Sequence, residues 1–226
     1  RMALDQAVAQ GLILKNPALS CKAPATHPRE MQVLTGEEIQ RLLIQAKEDD
    51  CFELLLLELT TGLRRGEILA LQWDDLEGRT GTLRVERQVQ RIRGKLVVSQ
   101  PKTRASSRSI LLPAPILAIL ERYRKSISSR WMFPSPRKED SPLDPAAVRK
   151  KLSAVLKRAG CPAARFHDLR HTFATTALQN GVDVKTVSSM LGHYDAGFTL
   201  RTYTHATRQK QDEAAATMGS FMEQVM

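Results

Sequence analysis

The sequence predicts an α+β fold that is mostly α: a helical domain carrying one small three-stranded antiparallel sheet. Two observations carry this expectation. From Thr35 onward most segments repeat apolar residues at three- and four-residue spacing, the period of a helix with one buried face. Between Thr82 and Leu112 the period changes. Residues 82–89, 95–100 and 108–112 alternate or run β-branched, with Arg93-Gly94 as a turn. At 226 residues, 42% of them hydrophobic, the chain can bury a sizeable core without disulfides.

Residues 3–14 read as a short amphipathic helix (Leu4, Val8, Leu12), too short to stand alone. Residues 16–28 hold three prolines and little periodicity, the composition of a linker. The expected organisation is therefore the end of a preceding domain at 1–15, a linker at 16–32 and the main domain at 33–226. Thr35 with Glu38 three residues on forms a capping box, opening a helix that turns Ile39, Leu42 and Leu43 inward. Residues 51–60 make an apolar helix that Thr61-Gly62 ends, and 64–71 begin another. After the sheet, helices are expected at 116–125, 145–159, 167–179, 183–191 and about 207–224.

The net charge is +10, and its placement is informative. Nine basic residues lie between Arg79 and Ile110, with Glu86 the sole acid among them. A basic surface gathered on one element is the footprint of a nucleic-acid binder. Arg87, Arg91, Arg93, Lys95, Arg104 and Arg108 are the expected DNA contacts. Aromatics are only 5% of residues, which favours gripping a duplex backbone over stacking on single-stranded bases. The three cysteines, Cys21, Cys51 and Cys161, are scattered and show no ligand spacing, so free thiols in a reducing compartment are expected. No apolar run reaches membrane-spanning length.

Phosphate chemistry is the common theme of the remaining motifs. In Thr60-Thr61-Gly62-Leu63-Arg64-Arg65-Gly66-Glu67 a glycine turn brings Arg64 to a helix start, where an anion is favoured, and Glu67 can orient its guanidinium. His167 and Arg170, three apart, share a helix face beside an apolar stripe of Phe166, Leu169 and Phe173, which places them at a cleft edge. Asp183 caps the next helix, Gly192 ends it, and His193 follows at that C-terminus. Tyr203 sits in the polar run Arg201-Thr202-Tyr203-Thr204-His205 and offers a hydroxyl nucleophile. Its pKa near 10 means deprotonation at pH 7 costs roughly 4 kcal/mol, which arginines and a base can offset. Lys102 lies at a turn of the basic sheet, where it can reach a groove or a phosphate. His167 and His171 at i, i+4 lack the acid that would complete a zincin-like site, so neither a metal nor another cofactor is expected.

Taken in order, Arg64, Lys102, His167-x-x-Arg170, His193 and Tyr203 resemble the catalytic domain of a tyrosine recombinase of the phage integrase family. The style is that of integrases of bacterial prophages and conjugative transposons. The matching signatures are Thr-Gly-Leu-Arg-Arg-Gly-Glu, His-Asp-Leu-Arg-His-Thr-Phe-Ala-Thr, Leu-Gly-His and Tyr-Thr-His, within residues 16–206. Each motif alone is weak; the ordered set is specific. The resemblance implies that Arg64 and Arg170 clamp the scissile phosphate and Tyr203 attacks it, leaving a 3′-phosphotyrosine. It implies Lys102 as general acid on the 5′ oxygen, His167 as a helper in proton transfer, His193 as a donor to a non-bridging oxygen, and Glu67 as the carboxylate behind them. It further implies that residues 1–15 end a truncated core-binding domain. The implied partners are duplex DNA attachment sites, other protomers in a synaptic tetramer, and accessory DNA-bending or excision factors. The implied location is cytoplasmic, on the bacterial nucleoid when DNA-bound, with integration or excision of a mobile element as the outcome. The alternative is a non-catalytic regulator, because helices 167–179 and 183–191 resemble a helix-turn-helix. That reading leaves Arg64, Lys102 and Tyr203 without a reason to occur together.

Overall fold

A computed structural model describes residues 1–22, 31–100, 107–192, 197, 215 and 218–224. The chain divides into two units, 1–30 and 31–226. In the first, helix α1 (Met2–Ala9) stops well short of residue 14, and Gly11 takes a left-handed φ of 70° just beyond it. Arg1 folds back and donates to the carbonyls of Ala18, Leu19 and Cys21 at 3.0, 2.9 and 2.8 Å. Asn16 caps the Pro17–Leu19 turn and donates to Asp5 at 2.6 Å.

In the second unit the Thr35 capping box forms as expected and starts α2 (Gly36–Glu48). Helix α3 (Phe52–Thr61) buries Leu54, Leu55 and Leu57 because it is packed by α2, by α5 (Ala114–Arg124) and by α7 (Phe166–Gln179). An element covered on several sides reads as an apolar run rather than a stripe. Short α4 (Arg65–Ile68) follows. Helix α6 (Pro145–Arg158) starts at its Asp144 cap, and α8 (Val184–Leu191) at Asp183. The main core gathers around Leu42, Leu57, Leu83, Ile110 and Leu156; a smaller one joins Phe173, Ala174 and Leu178 to Val187 and Leu191.

The mostly helical class with small antiparallel sheets holds, but the strands pair differently from the expectation. The three-stranded sheet is β1 (Leu76–Glu77), β2 (Thr82–Val85) and β5 (Arg108–Leu111), in the order β1-β2-β5. A separate hairpin holds β3 (Gln88–Ile92) and β4 (Lys95–Ser99). Residues 82–89 are thus two strands. Leu83, Val85 and Val89 keep one buried face throughout, but the hydrogen-bond partner changes from β5 to β4. Alternation reports which face is buried and says nothing of which strand lies alongside. Arg93 and Gly94 both take positive φ, 47° and 79°, as a two-residue hairpin turn matching the strand twist requires.

Of the helix expected at about 207–224, residues 215 and 218–224 are helical, and the others lie outside the described residues. Cys21, Cys51 and Cys161 are free thiols. No described helix is long and apolar enough to cross a membrane.

Candidate active site

Gly62 ends α3 with φ 60°. A Cβ there would lie 2.3 Å from the Phe173 ring and 2.9 Å from Leu191, so glycine is what lets α3 meet α7 and α8. The approach brings the Gly62 carbonyl to Arg170, which donates to it at 2.7 Å and to the Leu191 carbonyl at 2.7 Å. Arg170 is 2% exposed. This corrects its expected place at a cleft edge: the guanidinium sits inside, where one carbonyl from each of two elements accepts from it. Burial, then the charge of Arg64, draws its pKa down to about 10, so it stays charged at pH 7.

Arg64 precedes α4. Its backbone N–H donates to Glu67 at 2.9 Å, its guanidinium donates to the other Glu67 oxygen at 2.7 Å, and it also reaches the Gly192 carbonyl at 3.2 Å. Its side chain remains 42% exposed. Glu67 is buried. Burial pushes its carboxyl up, but hydrogen bonds and charge from Arg108, with Arg64 adding to them, hold it below the usual range.

Arg108, expected among the DNA contacts, is in fact turned inward. It donates to both Glu67 oxygens at 2.8 and 3.2 Å and to the Met190 carbonyl at 2.6 Å. Three arginines therefore cap three successive carbonyls, at Met190, Leu191 and Gly192, where α8 runs out of intrahelical partners. The negative end of the helix dipole favours cations there. Among the described residues, Arg64 and Arg108 both pair with the Glu67 carboxylate. Glu58, one helical turn before Gly62, is fully buried, and neither side-chain oxygen has a hydrogen-bond partner among the described residues. Burial raises its pKa well above the ordinary value.

His167 lies exposed at the start of α7, its ring 4.6 Å from that of His171 in an edge-to-face arrangement. Burial of part of the ring, then the charge of Arg170, lowers its pKa. His171 is buried, and its pKa falls to about 4 through burial and then the neighbouring His167. Asp168 is structural in geometry: it accepts the Arg165 backbone N–H at 2.7 Å and the Arg165 guanidinium at 2.7 and 3.0 Å, closing the N-terminus of α7.

The expected basic stripe is only partly free. Arg87 pairs with Asp75, and Arg91 pairs with Asp144 while donating to the Gly94 carbonyl at 2.6 Å. Arg93 and Lys95 are exposed at the hairpin tip. Lys102, Arg104, His193 and Tyr203 lie outside the described residues. Sequence reasoning missed the inward turn of Arg108 and the buried Glu58. The first carried no local signal; the second was visible as an acid inside a leucine run.

The family model of the phage integrase family matches residues 32–210. The XerC-like tyrosine recombinase of Caldanaerobacter subterraneus subsp. tengcongensis is 29% identical over 244 residues, covering 95% of this chain and 62% of that protein. The ICEBs1 integrase of Bacillus subtilis is 26% identical, with 93% and 60% covered. Tyrosine recombinase XerA of Pyrococcus furiosus is 31% identical, with 89% and 64% covered. The chain spans about three fifths of the length of the curated relatives it matches. The fold is shared with the Tn1549 transposon integrase solved with a circular intermediate DNA, at a TM-score of 0.78 and 20% identity over 94% of this chain and 76% of that one. It is also shared with a lambda integrase dimer bound to a COC′ core site, at 0.64 and 22% over 86% and 69%.

Proposed function

Because the chain belongs to the phage integrase family, we propose that it carries the catalytic part of a site-specific recombinase that cuts and rejoins duplex DNA through a 3′-phosphotyrosine. The observation that carries this reading is the convergence of Arg170 and of Arg64, which Glu67 holds, on the end of α8. Arg64 and Arg170 hold the scissile phosphate and stabilise the charge that builds on its oxygens during attack. The Tyr203 oxygen attacks phosphorus; the phosphorus–5′ oxygen bond breaks, and Lys102 gives that oxygen a proton. His167 takes part in removing the tyrosine proton, and His193 donates to a non-bridging oxygen. Rejoining is the reverse step with a new 5′ hydroxyl, so the bond energy is conserved and no nucleotide cofactor is consumed. Glu67 keeps Arg64 in register throughout.

Residues 1–15 are read as the end of a core-binding domain, 16–32 as a linker and 33–226 as the catalytic domain. The substrates are duplex attachment sites of a mobile element in the cytoplasm, and the partners are further protomers of a synaptic tetramer, with accessory DNA-bending or excision factors. Arg93, Lys95 and Arg104 are read as contacts to the DNA backbone, with Arg87 and Arg91 paired to Asp75 and Asp144.

The test is covalent trapping of the full-length protein on a nicked suicide duplex spanning the element–chromosome junction. Wild type forms a protein–DNA adduct, and Tyr203→Phe forms none while still binding. An adduct with Tyr203→Phe refutes the nucleophile, and no adduct with wild type refutes the recombinase reading.

A further inference from the structure

Arg108 opens β5, its backbone paired with Val85. Its side chain is 6% exposed, as buried as the Glu67 carboxylate it meets. One guanidinium fork takes both Glu67 oxygens, and its Nε takes the Met190 carbonyl. The group packs close against Gly192: a Cβ on that residue would stand 2.9 Å from Nη1 and 3.1 Å from Cζ. Arg108 therefore touches the carboxylate that orients Arg64 and the helix end that leads directly into His193. It also stands at the C-terminal foot of the connection that contains Lys102.

We propose that Arg108 is a positioning residue for strand cleavage, locking Glu67, and through it Arg64, to the end of α8. The proposal rests on the recombinase reading above. The physical reason is the planar fork. Two parallel N–H donors fix the plane of a carboxylate, and the third donor, Nε, ties that plane to a helix terminus. Lysine can match the charge but not the fork. Without the fork, Arg64 is the partner left to Glu67 among the described residues, and Arg64 is partly exposed. The orientation of the phosphate clamp then follows the exposed side chain rather than the fold. Arg108 acts through the Glu67 carboxylate and the Met190 carbonyl that it holds, so its effect belongs to the rate of reaction at saturation and not to affinity.

The experiment uses full-length protein and the nicked suicide duplex. Kd and the single-turnover rate of adduct formation at saturating DNA are measured for wild type, Arg108→Lys, Arg108→Gln, Glu67→Gln and the Arg108→Lys/Glu67→Gln double variant. Arg108→Lys is expected to slow adduct formation about 100-fold, the scale of a small misplacement of reacting groups. Its Kd should stay within about threefold, the mark of an interaction made in the transition state. If Arg108 acts through Glu67, the double variant is no slower than Glu67→Gln alone. A general loss of structure would instead multiply the two defects. A Lys variant as fast as wild type, a defect cured by more DNA, or multiplied defects each overturn the proposal. If Arg108→Lys does not fold, Arg108→Gln is read in the same way; if neither folds, Arg108 serves folding and the proposal fails. Absence of an adduct with wild type sinks the recombinase reading instead, and this proposal with it.

Discussion

Replacing Glu58 with glutamine should change how stability depends on pH, and the structure gives the sign and the slope. Glu58 is fully buried in α3, with both carboxyl oxygens unpartnered among the described residues. The charges that bear on it are Arg170 and Arg108, which favour ionisation, and Glu67, which opposes it; burial outweighs them all. Its folded pKa therefore lies well above the ordinary 4.5. Above that pH the unfolded chain releases a proton that the folded chain keeps. The folded state binds more protons, so stability falls as pH rises, by about 1.4 kcal/mol per pH unit, until the buried carboxyl itself ionises. His171 works in the opposite direction. Its pKa is drawn from 6.5 to about 4, so the folded state binds fewer protons in that window and stability rises with pH. The wild-type profile mixes the two, and only the difference between wild type and Glu58→Gln isolates Glu58. That difference should grow in favour of the variant by about 1.4 kcal/mol per unit above pH 4.5 and then level off. Urea unfolding followed by the fluorescence of buried Trp73 and Trp131, from pH 4.5 to 8, measures it. Parallel profiles for the two proteins would refute a neutral Glu58 in the folded state.

Glu58→Leu, which replaces unpartnered oxygens by hydrocarbon in a leucine helix, should stabilise the protein at pH 7 by about 1–3 kcal/mol in the same assay. Gly62→Ala should destabilise by about 2–4 kcal/mol, because a Cβ meets the Phe173 ring at 2.3 Å and φ is 60°; an unchanged urea midpoint would contradict the close approach of α3 and α7. Thr172 accepts the buried Leu34 N–H at 3.1 Å and donates to the Asp168 carbonyl at 2.9 Å. Thr172→Val should thus cost about 1–3 kcal/mol, and faster amide exchange at Leu34 would report the lost acceptor. By NMR titration the His171 imidazole should stay neutral down to about pH 4, whereas a midpoint near 6.5 would place it in solvent.

Much of the molecule is legible locally. The Thr35–Glu38 box, the Asp183 cap and the glycine ends at Gly62 and Gly192 are short-range devices, and all form where their residues stand. The same holds for the Arg93-Gly94 turn. The strands were less legible. Residues 82–89 keep a single buried face while exchanging one partner for another, and β1 has only two residues, too few to show a period.

By itself the sequence determined the helical class, the caps and turns, and the ordered motifs that mark the phage integrase family. The caps and turns depend on residues a few positions apart, where local backbone geometry is enough, and the family is marked by the order of its motifs along the chain, which needs no folded contact. The state of the arginines was decided only by tertiary structure. Arg87, Arg91, Arg93 and Arg108 look alike in a basic run, yet Arg108 is buried against Glu67, Arg87 and Arg91 pair with Asp75 and Asp144, and Arg93 is exposed. A guanidinium enters a protein interior only where distant elements supply acceptors for it. For Arg108 these are Glu67, 41 residues before it, and Met190, 82 residues after it.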